Sequence, residues 1–283
     1  MGARAMAVNP ETTEAVCEGW KARLRLGFRG SEGGTILARR EHAGPLLVQK
    51  PFYPEGATCH VYLVHPPGGV VGGDTIDLGV QCDPGSQALL TTPAAGKFYR
   101  SRGPWAKQKN RFEVMDGAIL EWLPQETILF DDCRVESRTR FELAGEARMI
   151  GWEMVALGRP ACNEGFTLGR ARMGLEVWKD GAPLLLEHMN LNAAMLASPC
   201  GLNNNPLSAT LVAYPATSRE LDAARDLAGE RSDFGATLID RLLICRTLGQ
   251  QAEPVRNLLV SIWRAIRPGM AGKPACEPRV WAT

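Results

Sequence analysis

The sequence predicts a mainly β fold closed by C-terminal helices. Three observations carry that prediction. Apolar residues recur with a period of two through most of the chain, turn signals rich in Asp, Pro and Gly separate those runs, and helical periodicity is confined to the last fifth.

The first run sets Trp20, Ala22, Leu24, Leu26 and Phe28 against Lys21, Arg23, Arg25 and Gly27, the pattern of a half-buried strand. Cys59, Val61 and Leu63 alternate in the same way with His60, Tyr62 and Val64, and Ile76, Leu78, Val80 and Cys82 with Asp77, Gly79 and Gln81. Between Cys133 and Leu143, Val135, Ser137, Thr139, Phe141 and Leu143 share one face. Arg134, Glu136, Arg138, Arg140 and Glu142 take the other, and a helix would mix those charges into the core. Asp83-Pro84-Gly85, Asp116-Gly117 and Asp180-Gly181 are expected as hairpin turns, because Asp-Gly pairs supply the positive φ such turns need. No repeat of fixed period and no linker interrupts the series up to Tyr214. One domain over 19–283 is expected behind a flexible tail, 1–18.

Thr217 and Glu220 form a capping box ahead of Leu221, Ala224 and Leu227. A second helix starts near Glu253-Pro254, lines up Val255, Leu258, Leu259, Ile262, Trp263 and Ile266, and is expected to end at Pro268-Gly269. Between the two, Thr237–Leu248 reads as a hairpin about Asp240-Arg241 or a helix, and the hairpin is favoured.

With 283 residues, 45% hydrophobic, the chain can bury a large core without staples. Its net charge of +1, with 32 basic and 31 acidic residues interleaved along the chain, argues against nucleic acid as a partner. No apolar stretch reaches membrane-spanning length and no signal-peptide core follows Met1, so a cytoplasmic chain is expected. The eight cysteines show no CxxC spacing and read as free, mostly packed thiols.

Few segments suggest chemistry. His65-Pro66-Pro67-Gly68-Gly69-Val70-Val71-Gly72-Gly73-Asp74 looks like a ligand loop, but it lacks the Lys and Ser/Thr of a phosphate loop and carries Asp74 instead. A tight connection between strands is the simpler reading. The Thr91–Ser101 stretch offers Lys97, Tyr99 and Arg100 as interface candidates, with a solvated loop as the alternative. Glu121, Glu153 and Glu187 stand as single acids in apolar runs. Each is expected on the wet face of a strand, the alternative being that they line an internal polar passage or bind a cation. His60 and His65 are five apart on strand-like sequence and so face opposite sides, and no hydrolase elbow or HExxH is present.

Several segments together are similar to the UreD/UreH family of urease accessory proteins. They are Gly44–Pro54, Cys59–Asp74, Thr91-Thr92-Pro93, Lys97–Ser101, Leu120–Glu126, Gly158-Arg159 and Pro278–Trp281, in the family's order. The resemblance implies a β-helix-like stack of strands with about two C-terminal helices, and a non-enzymatic scaffold or metallochaperone. It implies a UreF-type accessory protein, a UreG-type GTPase and apo-urease as partners, with nickel in transit and no tightly bound cofactor. Asp74, Glu153, Glu187 and Glu164 become candidates for a nickel passage. Carboxylates suit one physically, since Cys or His clusters would trap Ni²⁺. Asn163 departs from the family's usual Gly, and Gly96 from a hydroxyl residue. The rival readings are an enzyme with a ligand loop and an interaction scaffold with no metal role.

Overall fold

Alternation of apolar and charged side chains gives the first strand its inner face. In β1 (Lys21–Ser31), Ala22, Leu24, Leu26 and Phe28 are buried while Lys21 and Arg23 are exposed. The structure, a computed structural model, describes residues 19–101 and 103–282. The expected tail, 1–18, lies outside them, as does Cys17. Trp20 departs from the expected pattern and is 60% exposed, because it precedes the first paired residue and sits at the rim of the sheet.

β2 (Gly34–Ala43) pairs back on β1, and β3 (Leu47–Val48) with β4 (Cys59–Val64) opens a second sheet. From there the chain winds between the two sheets. β5 (Thr75–Cys82), β8 (Ala106–Val114), β11 (Arg134–Leu143) and β13 (Arg170–Lys179) stack in parallel in the first. β6 (Gln87–Thr91), β7 (Gly96–Phe98), β9 (Ile119–Trp122), β10 (Thr127–Leu129) and β12 (Arg148–Leu157) stack in the second. Thr75 faces Lys107, Ala106 faces Val135 and Arg134 faces Arg170. This is the β-helix-like stack, and its unequal steps explain the missing sequence period.

The chain finishes antiparallel, with β14 (Ala182–Leu191), a short α1 (Ala193–Ala197), β15 (Leu207–Tyr214), α2 (Ser218–Ala228), β16 (Phe234–Ile239), β17 (Leu242–Gly249) and α3 (Ala252–Ala271). One core lies between the sheets. A second lies between the outer face of the second sheet and α2 and α3.

That layering corrects several expectations. Of the three turn signals, only Asp180-Gly181 makes a hairpin, joining β13 to β14 with φ of +48° and +82°. Asp83-Pro84-Gly85 and Asp116-Gly117 instead carry the chain from one sheet to the other. Turn chemistry fixes a local reversal, not the strand that pairs next. β4 is buried on both faces, His60 and Tyr62 included, because its sheet is packed on both sides. α3 begins one residue before Glu253 and runs through Pro268 to Ala271, where Gly272 caps it at φ +69°. A proline removes one helical N–H, but Arg267, Met270 and Ala271 are all buried by continuing the helix. The capping box of α2 is present, with the Thr217 N–H donating to Glu220 at 2.9 Å. So is the hairpin about Asp240-Arg241.

Candidate functional site

The three acids set in apolar runs go to different layers. β12 alternates between the two cores. Trp152 and Met154 face the helices, while Glu153 and Val155 face the space between the sheets. On β14, Glu187 pairs with Leu175 of β13, whose side chain is in the inter-sheet core, so Glu187 faces the same space from the opposite sheet. Glu121 points the other way and is 1% exposed among the helices. The wet-face reading is overturned for Glu121, and Glu153 lies inside the molecule.

A partly open cavity of about 250 Å³ lies between the sheets, with His65, Thr92, Lys97 and Glu153 among its lining residues. Gln108, Asn110, Ser137 and Gln125 supply polar groups along its wall. A separate, smaller space of about 20 Å³ is lined by Glu153 and Glu187 together with Ser208 and Thr210. Glu153, Val155 and Met173 line both. Even the smaller space has room for a water molecule beside several polar partners. Glu187 ends the series in an ion pair with Arg246, whose Nε lies 3.0 Å from Oε2.

Burial pushes the Glu153 carboxyl up to about 7. A hydrogen bond with Thr139 opposes that rise and the Glu187 charge adds to it. The folded value therefore lies above the unfolded one near 4.5, so stability linked to this proton is full below pH 4.5 and lost as pH rises through 7. Glu153→Gln mimics the protonated form. It should match the wild type near pH 4.5 and exceed it by up to about 3 kcal/mol at pH 8. Urea unfolding at both pH values checks this, and an equal difference at both would contradict it.

Asp74 and Glu164 lie outside these two cavities. Asp74 accepts the Trp20 N–H at 2.7 Å and the Val71 N–H at 2.9 Å, fastening the glycine-rich segment to the start of β1. That segment is a tight connection from β4 to β5. A methyl group at Gly69 would run into the Tyr99 ring, and one at Gly72 into Ser101. His65 beside it is pushed down by burial, with Asp74 opposing. Glu164 pairs with Arg159 at the surface, in a loop closed by Asn163 at φ +55°. Arg159 lies over the Phe130 ring at 4.6 Å, and Tyr99 meets Phe130 edge-on at 4.8 Å. Lys97 is half-buried and lines the larger cavity, and Arg100 is exposed. Among the described residues, no three His, Cys, Asp or Glu side chains converge as a metal-binding group. No helix among them is long and apolar enough to cross a membrane.

Sequence reasoning missed a buried charge cluster under α3. Arg267, with its side chain 0% exposed, donates to both Glu121 oxygens at 2.8–3.1 Å and to both Glu55 oxygens at 2.6–2.7 Å. Trp263 Nε1 donates to Glu121 at 2.6 Å, and His60 Nε2 lies 2.7 Å from Glu55. Burial alone would push Glu55 up, but its bonds with His60 and Arg267 outweigh that and hold it at about 2. The signal was Arg267 itself, four residues after Trp263 on the apolar face of the helix.

A family model described as "UreD urease accessory protein" matches residues 21–282. The chain is 48% identical over 275 residues to the urease accessory protein UreD of Alkalilimnicola ehrlichii, covering 95% of this chain and 93% of that one. It is 42% identical over 278 residues to the protein of that name from Citrobacter koseri, covering 98% and 96%. It is 41% identical over 267 residues to the one from Klebsiella aerogenes, covering 94% and 98%. With a match that spans nearly every described residue, the chain belongs to the UreD family of urease accessory proteins.

Proposed function

We propose that this protein gives nickel a hydrated path during urease maturation, entering beside His65 and Lys97 and passing Glu153 to Glu187. In this reading it acts in the cytoplasm with a UreF-type accessory protein and a UreG-type GTPase, docked on apo-urease. GTP hydrolysis belongs to the GTPase. The observation that carries the reading is a pair of cavities that share Glu153, Val155 and Met173 in their walls, set polar side chains into a mostly apolar lining, and reach Glu187. Lone carboxylates in a hydrated space hold Ni²⁺ weakly, as a relay requires, where a complete ligand set would retain it. Asp74 serves the path indirectly by holding the loop at its mouth, and Glu164 contributes an acidic group at the surface.

The test is urease matured in cells with the Glu153→Ala, Glu187→Ala double variant. The complex should assemble, and the nickel content of the purified urease should fall several-fold. Full nickel content with the double variant would reject the path and favour a scaffold without a metal role.

A further inference from the structure

The charges that interleave along the sequence are sorted in space. Alternation in the first sheet sends one set of side chains outward, and the strand registers align them in rows. Lys21, Thr75, Lys107, Glu136 and Arg172 form one row, and Arg23, Asp77, Lys109, Arg138 and Gly174 the next. In the first row cations recur on every second strand, about 10 Å apart; in the second, Lys109 and Arg138 sit on neighbouring strands. Most acids on this face are already committed. Asp77 pairs with Arg25, Glu113 and Glu142 with Arg111, and Glu176 with Arg138 and Arg140. Among the described residues, Lys107 and Arg170 stand exposed and form no ion pair, although Glu136 is opposite Lys107 on the next strand. Exposed Arg172 lies over the Trp105 ring at 4.6 Å.

A second observation falls at the same end of the sheet. Leu168, just before β13, is 67% exposed beside a groove lined by Trp105, Arg170 and Arg172. It is not on a loose loop. Asp131 accepts the N–H groups of Thr167, Leu168 and Gly169 at 2.8–3.1 Å and the Thr167 hydroxyl at 2.7 Å. Burial alone would raise Asp131, but the Thr167 hydroxyl and the N–H groups of Leu168, Thr167 and Asp132 together hold it at about 2. A large apolar side chain clamped rigidly in the open, next to a half-buried Trp and unpaired Arg and Lys, has the make-up of an interface anchor.

We propose that Leu168, Trp105, Lys107, Arg170 and Arg172 form a docking surface for an acidic protein segment that carries an apolar side chain. The cations match the acidic partner, and Leu168 with Trp105 takes the apolar contact. The projecting leucine favours a protein over nucleic acid, which would need only the charges. The surface is on the outer face of the first sheet, so this inference does not rest on the nickel path.

The test uses the full chain and a fluorescein-labelled 16-residue peptide of Asp and Glu with two Leu, read by anisotropy at low and moderate salt. A peptide with Asn and Gln in place of the acids, and a 16-nucleotide oligothymidylate, serve as controls. The acidic peptide should bind, more weakly as salt rises. Its neutral counterpart should bind about tenfold or more weaker. Arg170→Glu with Arg172→Glu should weaken binding about tenfold, and Leu168→Ser should weaken it with the charges intact. Lys107→Glu, on β8 rather than β13, gives the same charge test if the Arg variants unfold. No binding by the wild type, equal binding by the charge-reversed chains, or tighter binding of the oligonucleotide would overturn the proposal.

Discussion

Arg267→Ala should destabilise the fold by about 3–5 kcal/mol, because it strands buried carboxylates rather than merely deleting an ion pair. Glu121 is 1% exposed and keeps only the Trp263 N–H among its side-chain donors once Arg267 is gone, while Glu55 keeps only His60. A lost surface pair would cost far less, since water would take over the freed charges. The penalty should shrink when Glu121→Gln is added, because an amide tolerates burial better than an unpaired carboxylate. The variant should also reverse the depression of Glu55. In the wild type that depression is a stabilisation present above pH 4.5 and lost as pH falls toward 2. Urea unfolding of the single and double variants checks the account, and a single variant within about 0.5 kcal/mol of wild type would contradict it.

Trp263→Ala should cost a similar amount, about 3–5 kcal/mol, for a different reason. Trp263 is fully buried in the core between α3 and the second sheet. Its ring meets Trp281 edge-on at 5.6 Å, so truncation leaves a cavity that nearby rings cannot close. It also removes the N–H held by Glu121. Since both substitutions act on Glu121, the combined variant should lose less than the sum of the two. A stable, well-folded Trp263→Ala chain that had lost only a partner would instead place this helix face in an interface.

Trp263 shows what the sequence can reveal. A residue in register with Val255, Leu259, Ile262 and Ile266 has one apolar face to join, and it joins it. The strands were legible for the same reason, since alternation is a local property. Sheet membership was not, because Asp116-Gly117 encodes a turn without encoding whether the next strand pairs with the last. The acids show the same limit. Glu121, Glu153 and Glu187 look alike in sequence, yet they meet a buried arginine, an inter-sheet cavity and a half-exposed arginine respectively. Parity along a strand tells which residues share a face, and only the packing of layers tells what that face meets. Arg267 was hidden behind the stop signal Pro268-Gly269, and Glu55 behind Pro54 and Gly56 in a segment that reads as a turn.

In the proposed path the space between the sheets, rather than any single carboxylate, conducts nickel. Val155 lines both cavities beside Glu153 and is 4% exposed, so Val155→Phe puts a ring at the junction and leaves Glu153 and Glu187 in place. Overpacking of this kind costs about 1–3 kcal/mol, which a folded chain can bear and a melt can verify. The decisive measurement is nickel per urease active site after maturation with the intact Val155→Phe complex. The account predicts a several-fold loss, as large as that from removing both carboxylates. Wild-type nickel content in urease matured by that blocked, fully assembled complex would contradict it.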